Sequence, residues 1–168
     1  MKLLKRSISF AVILVAFTAA TFAQVSATAT ATATIITPIA ITKTVDMNFG
    51  SLAVNTTPGT VVINPVTSAR SATGGVTLIG ATVAPATFTV TGLAAAVYTI
   101  SLPASTTISS GANNMTVNTF TSDPTPTGTL TGGTSTLRVG AQLNVAGSQA
   151  AGIYDNTGSP FTVTVNYQ

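Results

Sequence analysis

Almost no window of this sequence repeats at the period of a helix; apolar residues alternate with polar ones in short runs that stop at Gly, Pro or Asn. Successive side chains of a strand point to opposite faces, so each run defines one apolar face. Thr136 to Val145 places Leu137, Val139, Ala141, Leu143 and Val145 together, and Val97 to Leu102 does so with Tyr98, Ile100 and Leu102 before Pro103 stops it. The run from Pro160 to Gln168 sets Phe161, Val163, Val165 and Tyr167 inward and Thr162, Thr164 and Asn166 outward. Ile39 to Phe49 keeps Ile39, Ile41, Val45, Met47 and Phe49 in phase, with Lys43 the exception. Shorter strands are expected at Thr60 to Asn64, Val76 to Ile79, Ala86 to Thr91 and Met115 to Phe120. They are separated by a turn at Asn55 to Gly59, the pairs Gly74-Gly75, Asn113-Asn114 and Gly132-Gly133, and a Pro-rich loop from Asp123 to Gly128. Strands at roughly ten-residue spacing predict an all-β fold, an immunoglobulin-like antiparallel β-sandwich, in preference to an α/β arrangement.

Two segments precede that domain. Lys2, Lys5 and Arg6 lead into an apolar run from Ile8 to Ala20, and Thr21-Phe22-Ala23 ends on a small residue. Residues 1–23 are therefore expected to be a cleaved signal peptide, with Gln24 the first mature residue. The apolar run is short for a bilayer span, which disfavours an uncleaved anchor, and no later stretch is apolar enough to cross as a helix. The protein is expected in the periplasm in transit, and then at the cell surface or secreted.

Residues 24–37 form an alternating arm. Val25, Ala27, Ala29, Ala31, Ala33 and Ile35 share one face, with Ser26, Thr28, Thr30, Thr32 and Thr34 on the other, until Pro38 interrupts pairing. Residues 38–168 are the expected sandwich. The arm has three readings on pattern alone: a strand donated to another subunit, the domain's own first strand, or a low-complexity linker.

Charge and chemistry narrow the function. Beyond residue 23, Lys43, Arg70 and Arg138 balance Asp46, Asp123 and Asp155, so the basic isoelectric point belongs to the leading segment and no basic stripe exists for nucleic acid. With so little charge, self-association is the natural default. The sequence contains neither His nor Cys. That removes triads with a His base, thiol chemistry and most zinc sites, and it leaves a hydrophobic core rather than disulfides to hold an exported fold. Three aspartates beside turns or strand ends are a thin inventory for acid–base work. Asp155-Asn156-Thr157-Gly158 offers a single carboxylate and reads as a turn rather than a calcium loop. Neither glycine pair is followed by the lysine or helix of a phosphate loop. No enzyme activity, metal or cofactor is expected.

Several segments in order carry a resemblance: Asp46-Met47-Asn48-Phe49-Gly50, Tyr98-Thr99-Ile100-Ser101-Leu102-Pro103, Leu137 to Val145, Gln149-Ala150-Ala151-Gly152-Ile153-Tyr154, and Phe161 to Tyr167. Over about residues 39–168 the chain resembles the bacterial domain-of-unknown-function family forty-four-oh-two. That family is similar to the immunoglobulin-like subunits of chaperone–usher pili and to spore-coat-U-like secreted proteins. The resemblance implies a subunit that lacks its last sandwich strand and receives a neighbour's arm, with a periplasmic chaperone and an outer-membrane usher as partners. It casts Val25, Ala27, Ala29, Ala31, Ala33 and Ile35 as the donor face, and Phe161, Val163, Val165 and Tyr167 as one wall of the receiving groove. The chain departs from such pilins in lacking a disulfide and in presenting alanines where donor strands carry larger anchors, which forfeits roughly 1–2 kcal/mol of burial per position.

The expectation is thus an exported, non-enzymatic structural subunit of a surface pilus or fibre, polymerising with copies of itself or with related pilin subunits by donor-strand complementation. The alternative is a self-complete secreted or cell-surface β-sandwich binding module.

Overall fold

Alternation of Thr with Val, Ile, Leu and Ala becomes ten strands, and the described residues contain no helix. The computed structural model describes residues 24–80 and 82–168, so the expected signal peptide lies outside them. The strands are β1 (Ala40–Val45), β2 (Ser51–Ile63), β3 (Arg70–Ile79), β4 (Ala86–Thr91), β5 (Val97–Ser101), β6 (Ser105–Ser110), β7 (Asn113–Asp123), β8 (Thr127–Thr129), β9 (Thr134–Val145) and β10 (Thr164–Tyr167). All belong to a unit spanning Ile35–Gln168. Residues 24–34 belong to a separate unit, form no strand or helix, and are exposed at every position.

Every strand pairing is antiparallel, and β9 organises the larger, seven-stranded sheet. β7 runs along one edge of β9. The other edge is shared, with β4 pairing over Thr134–Val139 and β2 pairing over Gln142–Val145. β1 extends the sheet beyond β4, β3 beyond β2, and β6 beyond β7. A smaller sheet has the order β10-β5-β8.

One apolar face of β9 faces two different environments. Leu137 and Val139, with Ala86, Phe88 and Val90 of β4, pack against Tyr98, Leu130, Val163 and Val165 from the smaller-sheet side. This is the closed half of a sandwich-like arrangement, with side chains of two layers interdigitating. Ala141, Leu143 and Val145 continue the same face but join a second cluster with Val61, Val76, Met115 and Val117, all supplied by the larger sheet. No strand of the smaller sheet contributes to that second cluster.

Three local expectations are corrected. Asn55 to Gly59 is not a turn: β2 runs through it, and the register against β3 shifts between Val54 and Gly59. Gly74 and Gly75 lie inside β3 and make that irregularity feasible. A Cβ on Gly75 would collide with the Asn55 side-chain oxygen and the Thr57 carbonyl, and Gly74 has φ +65°. The last strand is shorter than Pro160 to Gln168. Its partner β5 ends at Ser101, and Pro103 has no N–H to continue the ladder, so pairing starts at Thr164.

Candidate functional site

A groove of about 1010 Å³ lies over the second cluster, where the sandwich has no second layer. Phe88, Met115, Val117, Leu143 and Val145 form its floor, residues 46–54 one side, and residues 149–157 with Pro160 and Phe161 the other.

The first side is built by the Asp46-Met47-Asn48-Phe49-Gly50 segment, which carries the chain from β1 to β2. Asn48 pairs its backbone with Ala84 (2.8 and 3.0 Å), and its side-chain oxygen accepts the Gly50 N–H at 2.8 Å. Gly50 turns with φ +71°, and a side chain there would meet the Arg70 guanidinium. That guanidinium donates to the carbonyls of Phe49 (2.5 Å), Ser51 (3.1 Å) and Ile79. Arg70 is thus spent on tying the groove side to β3, without a carboxylate partner among its hydrogen bonds. With the backbone so held, Met47, Phe49, Leu52 and Val54 pack half-buried against the floor cluster.

The second side is an irregular stretch between β9 and β10. Gln149 Nε2 donates to the Tyr154 hydroxyl (2.9 Å) and to the Asn114 carbonyl (3.3 Å), and the Tyr154 hydroxyl donates to the Ala150 carbonyl (2.8 Å). These bonds lay the Tyr154 ring against the floor cluster. Asp155 bridges Ser109 of β6 through both backbone groups. Its carboxylate accepts the N–H and the hydroxyl of Thr157 (3.1 and 2.8 Å), first the backbone and then the side-chain bond holding its pKa below the ordinary value. Ile153 stands 85% exposed on this rim. Residues 157–163 have no ladder partner; the Thr157 and Ser159 N–H groups are taken locally by Asp155 and Asn156 and Pro160 has none, which leaves Phe161, Thr162 and Val163 as the contiguous stretch whose backbone can pair.

The four residues expected on a groove wall are placed differently from one another. Phe161 lines the groove and meets Phe120 at a ring-centroid distance of 5.1 Å. Val163 and Val165 are buried in the closed half, beneath the smaller sheet. Tyr167 packs on that same cluster at the far end of β10, where its hydroxyl accepts the Leu93 N–H (2.6 Å) and donates to the Thr37 carbonyl (2.7 Å). The physical reason is that β10 starts late: Phe161, well ahead of the strand, borders the groove, whereas Val163, immediately before it, and Val165 and Tyr167 within it face the closed core. Of the alternating face at 25–35, Val25 is 94% and Ile35 99% exposed, and Ala27, Ala29, Ala31 and Ala33 are exposed too.

Several groove residues escaped the sequence reading. Ile108 and Thr106 come from β6, whose Ser-Thr-rich run carries one apolar residue. Leu52 and Val54 are out of phase with Met47 and Phe49, because the chain turns at Gly50. The Met47/Phe49 alternation was the available signal.

The described residues hold no group of three His, Cys, Asp or Glu that would cage a metal. Asp46 is paired with Lys43 at 2.5 Å on the exposed rim, and Asp123 lies opposite Arg138 in the β7–β9 register. No helix among the described residues is long and apolar enough to cross a membrane.

The model of a family described as a domain of unknown function (DUF4402) matches residues 39–167. No curated protein matches the chain, and no solved structure matches it.

Proposed function

Since the chain belongs to the DUF4402 family, whose description assigns it no role, we propose a function from the groove itself: the protein is an exported structural subunit that accepts an added β-strand and so assembles into a surface fibre. The observation that carries this reading is the half-covered face of β9. Its first half is sealed by the smaller sheet, and its second half borders an open groove flanked by backbone without ladder partners. A strand laid there supplies the missing layer and pairs those backbone groups at once. In this reading the domain is an immunoglobulin-like sandwich short of one strand, akin to chaperone–usher pilins. Residues 1–23 direct export, and residues 25–35 are the strand given to the next subunit. A chaperone that holds the groove before assembly belongs to the same logic, because an open apolar groove invites unproductive pairing.

Deleting residues 24–36 tests the reading. The truncated chain is expected to stop polymerising and to bind a synthetic peptide of residues 24–36. A polymer as stable as that of the intact chain, formed without those residues, would overturn it.

A further inference from the structure

We propose that the groove is selective for smallness: it takes a β-strand whose central inward side chains are no larger than alanine, and its occupant is residues 25–35 of a second copy, seated through Ala27, Ala29, Ala31 and Ala33. This deepens the strand-accepting reading and rests on it.

The floor is the first reason. Val117, Leu143 and Val145 are 2%, 1% and 4% exposed, and Met115 9%, although no strand of the smaller sheet covers their cluster. A water-sized sphere therefore reaches little more than the tips of these side chains. The floor is already filled by its own large residues, with Phe49, Leu52 and Tyr154 packed in from the sides. Protein interiors tolerate an extra methylene poorly once they are packed. A methyl group seats on such a floor, whereas an isobutyl group must displace it.

The arm is the second reason. Ala27, Ala29, Ala31 and Ala33 supply four successive methyl groups on one face, and the larger Val25 and Ile35 stand only at the ends. The segment carries no charge and is exposed at every position from 24 to 34. Its opposite face is Ser26 and threonines, which suit a strand whose outer side meets water. Affinity then comes from backbone pairing along residues 161–163, which have no ladder partner, and from close contact, while the choice of strand comes from the limit on side-chain size.

The experiment measures binding of labelled peptides spanning residues 24–36 to the soluble chain, comparing the native peptide with Ala29→Leu/Ala31→Leu and Ala29→Gly/Ala31→Gly versions. The native peptide is expected to bind best, with the leucine peptide weaker by at least about ten-fold and the glycine peptide weaker by only a few-fold. Leucine binding as tight as alanine, or tighter, overturns size selection while leaving strand acceptance standing. Binding of none of the peptides overturns both. Peptide variants put no demand on the fold of the receiving chain. As a second arm, Met115→Ala in the receiving chain is expected to narrow the alanine-over-leucine preference by at least about three-fold; an unchanged preference overturns the role of the floor.

Discussion

At the scale of single residues, Tyr167 shows how a polar atom can matter more than the apolar pattern that locates it. Alternation predicts it inward, and its ring does pack against the first cluster. Its hydroxyl then joins three parts of the chain, taking the Leu93 N–H and giving its own proton to the Thr37 carbonyl. Gly92 lies beneath, and a Cβ there would strike the same hydroxyl. Tyr167→Phe keeps the ring and removes both bonds. It is expected to cost about 1–3 kcal/mol, read as a lower urea midpoint with an unchanged slope. Leaving the fold intact, the same change should free the segment around Thr37, seen as faster amide exchange there.

At the scale of elements, the β2–β3 hairpin is stitched by one side chain. The Arg70 guanidinium reaches the carbonyls of Phe49, Ser51 and Ile79, so it sets both the hairpin's open end and one side of the groove. Arg70→Ala is expected to destabilise the chain by about 1–3 kcal/mol and to speed amide exchange across residues 49–54. Arg70→Lys should recover less than half of the loss, because an ammonium lacks the planar fork. Protection at 49–54 equal to that of the unsubstituted chain would contradict this account. The elements themselves were largely legible. Leu137, Val139, Ala141, Leu143 and Val145 were placed on one face by period-two alternation, and β9 buries all five. What was not legible depends on partners distant in sequence. Asn55 to Gly59 looks like a turn until Gly74 and Gly75 are brought opposite it to absorb the bulge. Pro160 to Val163 looks like strand until β5 ends at Ser101. Of the groove's lining, Phe161 sits on an alternating run and Met47 and Phe49 share an apolar phase, whereas Leu52, Ile108 and Tyr154 reach it through a turn, a hydroxyl-rich strand and an irregular loop.

At the scale of the whole molecule, the balance of charge bears on the proposed assembly. Past residue 23 the three basic and three acidic side chains cancel, and Lys43 with Asp46 is already an ion pair. Encounter therefore lacks a net field to steer it. The proposed assembly is expected to change in rate by less than about two-fold between roughly 0.05 and 0.5 M salt, whereas steered association would slow steeply. Light scattering of the assembling protein at the two salt concentrations checks this. The bond between Tyr167 and Thr37 has a mechanical meaning as well. Thr37 lies just ahead of β1, whose residues Ala40 to Val45 pair with β4, so a pull arriving through the preceding residues meets that tyrosine before it meets the sheet. The hydroxyl behaves as a cleat on the line, and its loss should lower the force at which the domain first yields.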